Sequence, residues 1–150
     1  FSVNLILSEK AVNWAGNYFN SEEFYKESIQ NGSDEDFWDI LEQTSSKKYT
    51  PSFTIYPEKN NNEYRLYIYS DDYGDVNAAT FFIHKILNKF DIDDIISFDY
   101  AETCSIPRPN EFNGGHFIIS KEKIVRFEYC EWYQRVFQEI MLERPARKNS

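Results

Sequence analysis

The sequence predicts an α+β protein in which N-terminal helices precede a ββαββα core, an antiparallel sheet with helices packed on one face. Three observations predict it. Apolar residues recur at helical spacing from Ala11 to Ile29. Tyr64-Arg-Leu-Tyr-Ile-Tyr69 combines alternation with high β propensity. Val76, Ala79, Ile83, Ile86, Leu87 and Phe90 make a second helical stripe. The 150 residues suit one domain, divided into a helical part at 1–45, the core at 50–142 and a flexible basic tail at 143–150.

Each element follows from its residues. From Ser8, the positions Ala11, Val12, Ala15, Tyr18 and Phe19 line one helix. Asn20-Ser21 breaks it, and Ser21 caps a second helix carrying Phe24, Tyr25 and Ile29. Ser33 caps a third, whose first turn holds Asp34, Glu35 and Asp36, with Phe37, Trp38, Ile40 and Leu41 on its apolar side. Residues 44–48 form a polar linker. Ser52 to Tyr56 alternates as a strand, Pro57 to Glu63 turns, and Tyr64 to Tyr69 completes a hairpin. Asp75 caps the next helix. Strands at 95–100 and 116–119 flank a long loop, and 124–127 adds a short strand. A last helix spans about 130–142, with Tyr129, Trp132, Tyr133, Val136, Phe137 and Ile140 on its buried side.

Charge narrows the function. The net charge is −9, and residues 1–100 hold 18 acids against 8 bases. The acids crowd at Asp34, Glu35, Asp36, Asp39 and Glu42, and again at Asp71 and Asp72. Such a surface repels nucleic acid, whose phosphates need lysine and arginine, and attracts basic surfaces. It also serves simply as a solvated surface that keeps a protein soluble. Aromatic residues make up 18% of the chain, enough that some tyrosines must face outward, where a ring with a polar tip favours protein contacts.

No apolar run approaches the length of a membrane span, and the first residues lack a basic flank and a cleavage site, so a cytoplasmic protein with no membrane contact is expected. Cys104 and Cys130 are then expected to be free thiols.

The segment 101–116 stands apart. It contains Pro107, Arg108, Pro109, Gly114 and Gly115 along with Glu102, Cys104, Glu111 and His116. The prolines hold Arg108 on a stiff arm, and the glycines permit close backbone approach. One reading makes the segment a hairpin connection locked by an Arg108–carboxylate pair. The other makes Arg108, Glu111, Gly114 and Gly115 a ligand or partner contact. An enzymatic version gives Cys104 or Glu102 the chemistry and His116 the proton transfer. His84, in the middle of a helix, reads as a packed or surface histidine. No phosphate loop, dinucleotide fingerprint, zinc motif or nucleophile elbow occurs, so no catalytic residue, metal or cofactor is assigned.

The pattern Tyr100-Ala-Glu-Thr-Cys-Ser-x-Pro-Arg-Pro-x-Glu-Phe-x-Gly-Gly, with Leu66-Tyr-Ile-Tyr-Ser-Asp-Asp-Tyr-Gly74 before it, resembles a family of small uncharacterised bacterial, plasmid and phage proteins. That family shares a Cys-Ser-Lys-Pro-Arg stretch followed by Phe-Gly-Gly-Gly. The chain departs from it at Ile106 and Asn113. The resemblance implies an origin near mobile elements and no reaction. Charge and resemblance together lead to an acidic inhibitor or adaptor occupying a basic surface of a nucleic-acid enzyme, in the manner of anti-CRISPR proteins. The alternative is a small enzyme or anion-binding domain using the 101–116 loop.

Overall fold

Val3, Leu5 and Leu7 alternate with outward residues and are buried, which makes β1 (Ser2–Leu7) a strand with one face on the core. A computed structural model describes residues 1–32, 53–70, 75–102 and 113–129. Within them β1 is followed by α1 (Glu9–Phe19), α2 (Glu22–Gly32), β2 (Thr54–Asn60), β3 (Glu63–Tyr69), α3 (Val76–Lys89), β4 (Ile96–Glu102), β5 (Asn113–Ile119) and β6 (Ile124–Glu128). The class is α+β with antiparallel pairing throughout.

The layout departs from the expected core in two ways. The described strands form two three-stranded sheets, ordered β1-β3-β2 and β4-β5-β6, where one sheet was expected. A strand also precedes the helices. β1 pairs with β3, Leu5 opposite Leu66 and Val3 opposite Ile68, so β3 becomes central. Two predicted elements, the helices after Ser33 and after Cys130, lie outside the described residues, as does the tail at 143–150.

The helix boundaries follow their caps. Ser8 Oγ accepts from Ala11 N at 3.2 Å, Ser21 Oγ from Phe24 N at 3.1 Å, and Asp75 Oδ1 from Ala78 N at 2.9 Å. α3 stops in a Schellman motif: Ile92 N donates to Leu87 O at 2.9 Å and Asp91 N to Asn88 O at 3.3 Å. Asp91 occupies the left-handed position at φ 51° that glycine usually takes. β2 runs to Asn60, so the turn expected from Pro57 shrinks to Asn61-Asn62, both at positive φ. Pro57 is tolerated because β2 is an edge strand.

A single buried cluster joins the inner faces of both sheets to the three helices. Phe82 is fully buried in it, with the rings of Phe24 at 5.2 Å, Phe19 at 5.6 Å, Phe53 at 5.9 Å and Tyr18 at 6.1 Å. Inner residues of the second sheet, Phe98, Tyr100, Phe117 and Ile119, extend the same cluster. That leaves the opposite face of β4-β5-β6 pointing away from the core.

A polar link ties α1 and α2 to α3. Tyr18 Oη donates to Glu27, and Lys85 Nζ donates to both Glu27 carboxylate oxygens at 2.8 and 2.9 Å. Lys85 first, then Tyr18, hold the Glu27 carboxyl below its ordinary value of 4.5, while burial and the Glu27 carboxylate push the Tyr18 hydroxyl well above the usual phenol range. A carboxylate whose folded pKa is depressed stabilises the fold in full above its unfolded pKa. That contribution disappears as pH falls through the folded pKa. Glu27→Gln is therefore expected to cost about 1–2 kcal/mol at neutral pH. The difference from wild type should vanish when urea melts are repeated in acid below the Glu27 folded pKa. A cost that stays constant down the acid limb would contradict the assignment.

Candidate functional site

Antiparallel register brings Asp99 of β4 opposite His116 of β5, and His116 opposite Phe127 of β6. All three sit on the outer face, because their neighbours Phe98, Tyr100 and Phe117 point into the core. His116 Nδ1 lies 2.8 Å from Asp99 Oδ1. Tyr129, just past β6, donates its hydroxyl to the same Asp99 oxygen. Continuing the register by one residue sets Tyr129 beside Gly114, which has no side chain to obstruct its reach across the sheet.

Tyr129 first, then His116, hold the Asp99 carboxyl below the usual carboxylate range, and the same hydrogen bond to Asp99 is the main cause raising the Tyr129 hydroxyl. Asp99 therefore stays ionised and orients the imidazole through Nδ1. Nε2, on the other side of the ring, has no hydrogen-bond partner among the described residues.

Beside this cluster, on the same face, is an open cleft of about 320 Å³ whose floor is Ile95, Ile118 and Val125. Its walls come from Asp93 and Asp94 before β4 and from the Ser120–Lys123 turn between β5 and β6. Lys121 Nζ binds Asp91 at 2.6 Å and Asp93 at 2.5 Å, and the Lys121 carbonyl accepts from Asn88 Nδ2 at 3.0 Å. These two carboxylates raise the Lys121 ammonium well above its ordinary value, so it is a fixed positive charge. The turn itself closes through Ser120 N to Lys123 O at 2.9 Å, with Ser120 Oγ donating to Glu122.

Several expected site residues fall elsewhere. Asp34, Glu35, Asp36, Asp39, Glu42, Asp71, Asp72, Cys104, Arg108 and Glu111 lie outside the described residues, as does the Glu102 side chain. The strands are longer than expected, so Glu102 belongs to β4, and Gly114 and Gly115 join His116 in β5. Both glycines are buried against the chain itself. A Cβ on Gly114 would come 2.5 Å from the Tyr100 carbonyl oxygen. A Cβ on Gly115 would come 2.1 Å from the Phe127 carbonyl oxygen and 2.9 Å from the Tyr100 ring. The Tyr100 ring thus lies across Gly115, its own strand partner, and its hydroxyl accepts from Arg126 Nε at 2.8 Å.

His84 is half-buried on α3, and its Nε2 finds no hydrogen-bond partner among the described residues. The Asp99–His116 contact, the Tyr129–Asp99 bond and the cleft are not legible in the sequence. The available signal was parity: in two antiparallel strands, residues on the outer face align only once the hairpin register is known, and no turn motif revealed it. Among the described residues, no three His, Cys, Asp or Glu side chains gather to hold a metal ion, and no helix is long and apolar enough to cross a membrane. No protein-family model matches the chain, no curated protein matches it, and no solved structure matches its fold.

Proposed function

We propose that this protein is an acidic binding module, an inhibitor or adaptor that docks on a basic protein surface. One observation carries the reading: carboxylates outnumber cations, and several cations among the described residues are already held by carboxylates. Lys85 is held by Glu27, Arg65 by Glu63, Lys121 by Asp91 and Asp93, and Arg126 by Glu128. With 25 acidic against 16 basic residues, the whole chain carries a net charge of −9, which favours a cationic partner. The partner class that fits is a nucleic-acid enzyme, whose basic groove accepts carboxylates in place of phosphates. An anti-defence inhibitor carried by a mobile element is one such protein, in keeping with the motif resemblance.

Affinity capture with the full chain as bait, from cells that carry it, tests this. A partner with a basic surface should be retained by wild type, and held more weakly and with less salt dependence when Asp34, Glu35, Asp36 and Asp39 are replaced together by Asn, Gln, Asn and Asn. Retention undiminished both by those changes and by high salt contradicts the reading. A second reading, proton transfer or anion binding on the second sheet, is favoured by the Asp99–His116 contact. It expects His116→Ala and Asp99→Asn to abolish function in cells while leaving capture intact.

A further inference from the structure

We infer that the outer face of β4-β5-β6 is the docking surface, and that it seats a partner segment presenting a branched aliphatic side chain between lysines or arginines. The inference rests on the acidic-module reading and names where and how such a module binds. Scattered apolar side chains on a surface are ordinary, but here they are aligned. Ile118 pairs with Val125 across β5 and β6, Ile95 stands at the entry to β4, and Phe127 follows Val125 on the same face. Ile95 is 71% exposed and Phe127 48% exposed, so the strip faces water.

Charge decides what kind of partner fits. Asp91, Asp93, Asp94, Asp99 and Glu122 lie on or beside this face against Lys121 and Lys123. Lys121 is already committed to Asp91 and Asp93, so an incoming anion meets a net negative rim with one cation bound to it. A cationic segment meets the carboxylates of Asp94 and of Glu122, the latter also accepting from Ser120 Oγ, on either side of an apolar floor. The outer face of the first sheet lacks this surplus. There Tyr67 Oη donates to Glu58 at 3.1 Å and Arg65 binds Glu63, so its exposed Ile6 and Tyr56 sit among charges that are already satisfied. The cleft volume of about 320 Å³ takes one or two aliphatic side chains of a partner and is at the small end for a whole metabolite.

The test is an amide-shift titration of the isotope-labelled full chain with two synthetic peptides of equal charge. One alternates lysine and leucine and the other alternates lysine and glycine. The lysine–leucine peptide should saturate and shift the amides of Ile95, Ile118, Val125 and Phe127. The lysine–glycine peptide should bind about tenfold more weakly, because it leaves the apolar floor in water. Ile95→Ser combined with Phe127→Ser should erase that tenfold preference without collapsing the spectrum. Asp94→Asn with Glu122→Gln should weaken both peptides and shallow their salt dependence.

Equal affinities, or shifts confined to acidic residues elsewhere, overturn the docking surface while leaving the acidic-module reading in place. Binding by neither peptide also overturns the inference, and capture of the basic partner then judges the wider reading independently.

Discussion

Gly115→Ala destabilises the protein by about 3 kcal/mol or more, at the upper end of what added volume costs a packed interior. The new methyl group would stand 2.1 Å from the Phe127 carbonyl oxygen and 2.9 Å from the Tyr100 ring. The first of these is backbone in the neighbouring strand, so relief requires β6 to move away from β5 and forfeit ladder hydrogen bonds. Tyr100 has little room to yield, since its ring also meets Phe117 at 5.2 Å and its hydroxyl holds Arg126. Gly16→Ala provides the contrast. Nothing lies within 4 Å of a Cβ at Gly16, in the interior of α1, so that change should stabilise by about 0.5–1 kcal/mol through helix propensity. Urea melts of the two variants should move in opposite directions, and a Gly115→Ala protein as stable as wild type would refute the packing described for the second sheet.

Phe82→Ala costs about 3–5 kcal/mol. The ring is fully buried and touches aromatic partners from α1 (Tyr18, Phe19), from α2 (Phe24) and from the residue before β2 (Phe53). Deleting it opens a cavity that stiff rings fill poorly, and several aromatic contacts are lost at once. Phe82→Leu, which keeps most of the volume, should cost markedly less. The ratio of the two costs in urea melts checks the claim. Similar small losses for both would mean that the helices are not joined through this ring.

Much of the scaffold was written plainly in the sequence. The cap at Asp75, the break at Asn20-Ser21 and the strand at Tyr64–Tyr69 depend on neighbours in the chain, and they were legible for that reason. β1 was not. Ile6 between Leu5 and Leu7 masks the alternation, and only pairing with β3, about sixty residues away in the chain, reveals that Ile6 faces outward. The α3 stripe was read through Ala79, Ile83 and Ile86, yet the buried set also includes Phe82, while the adjacent Phe81 is only half-buried. Two consecutive phenylalanines carry no signal of which one faces the core until the helix is docked.

The site was legible only in part. His116 attracted notice through its place in an unusual segment. Its partner Asp99 lies seventeen residues away, brought in by strand register rather than by any motif. Gly114-Gly115 read as a place of close backbone approach, and Tyr100 and Phe127 of the same chain are what approach there. The cleft at Ile95, Ile118 and Val125 combines three segments, none of them remarkable in composition, so nothing local announces it.

We propose above that a carboxylate surplus directs this protein to a cationic partner. The most direct measurement of this is the affinity for the captured partner as salt rises from about 50 to about 300 mM. Affinity should fall steeply and steadily, and less steeply when Asp94 and Glu122 are neutralised. An affinity indifferent to salt across that range would contradict the proposal.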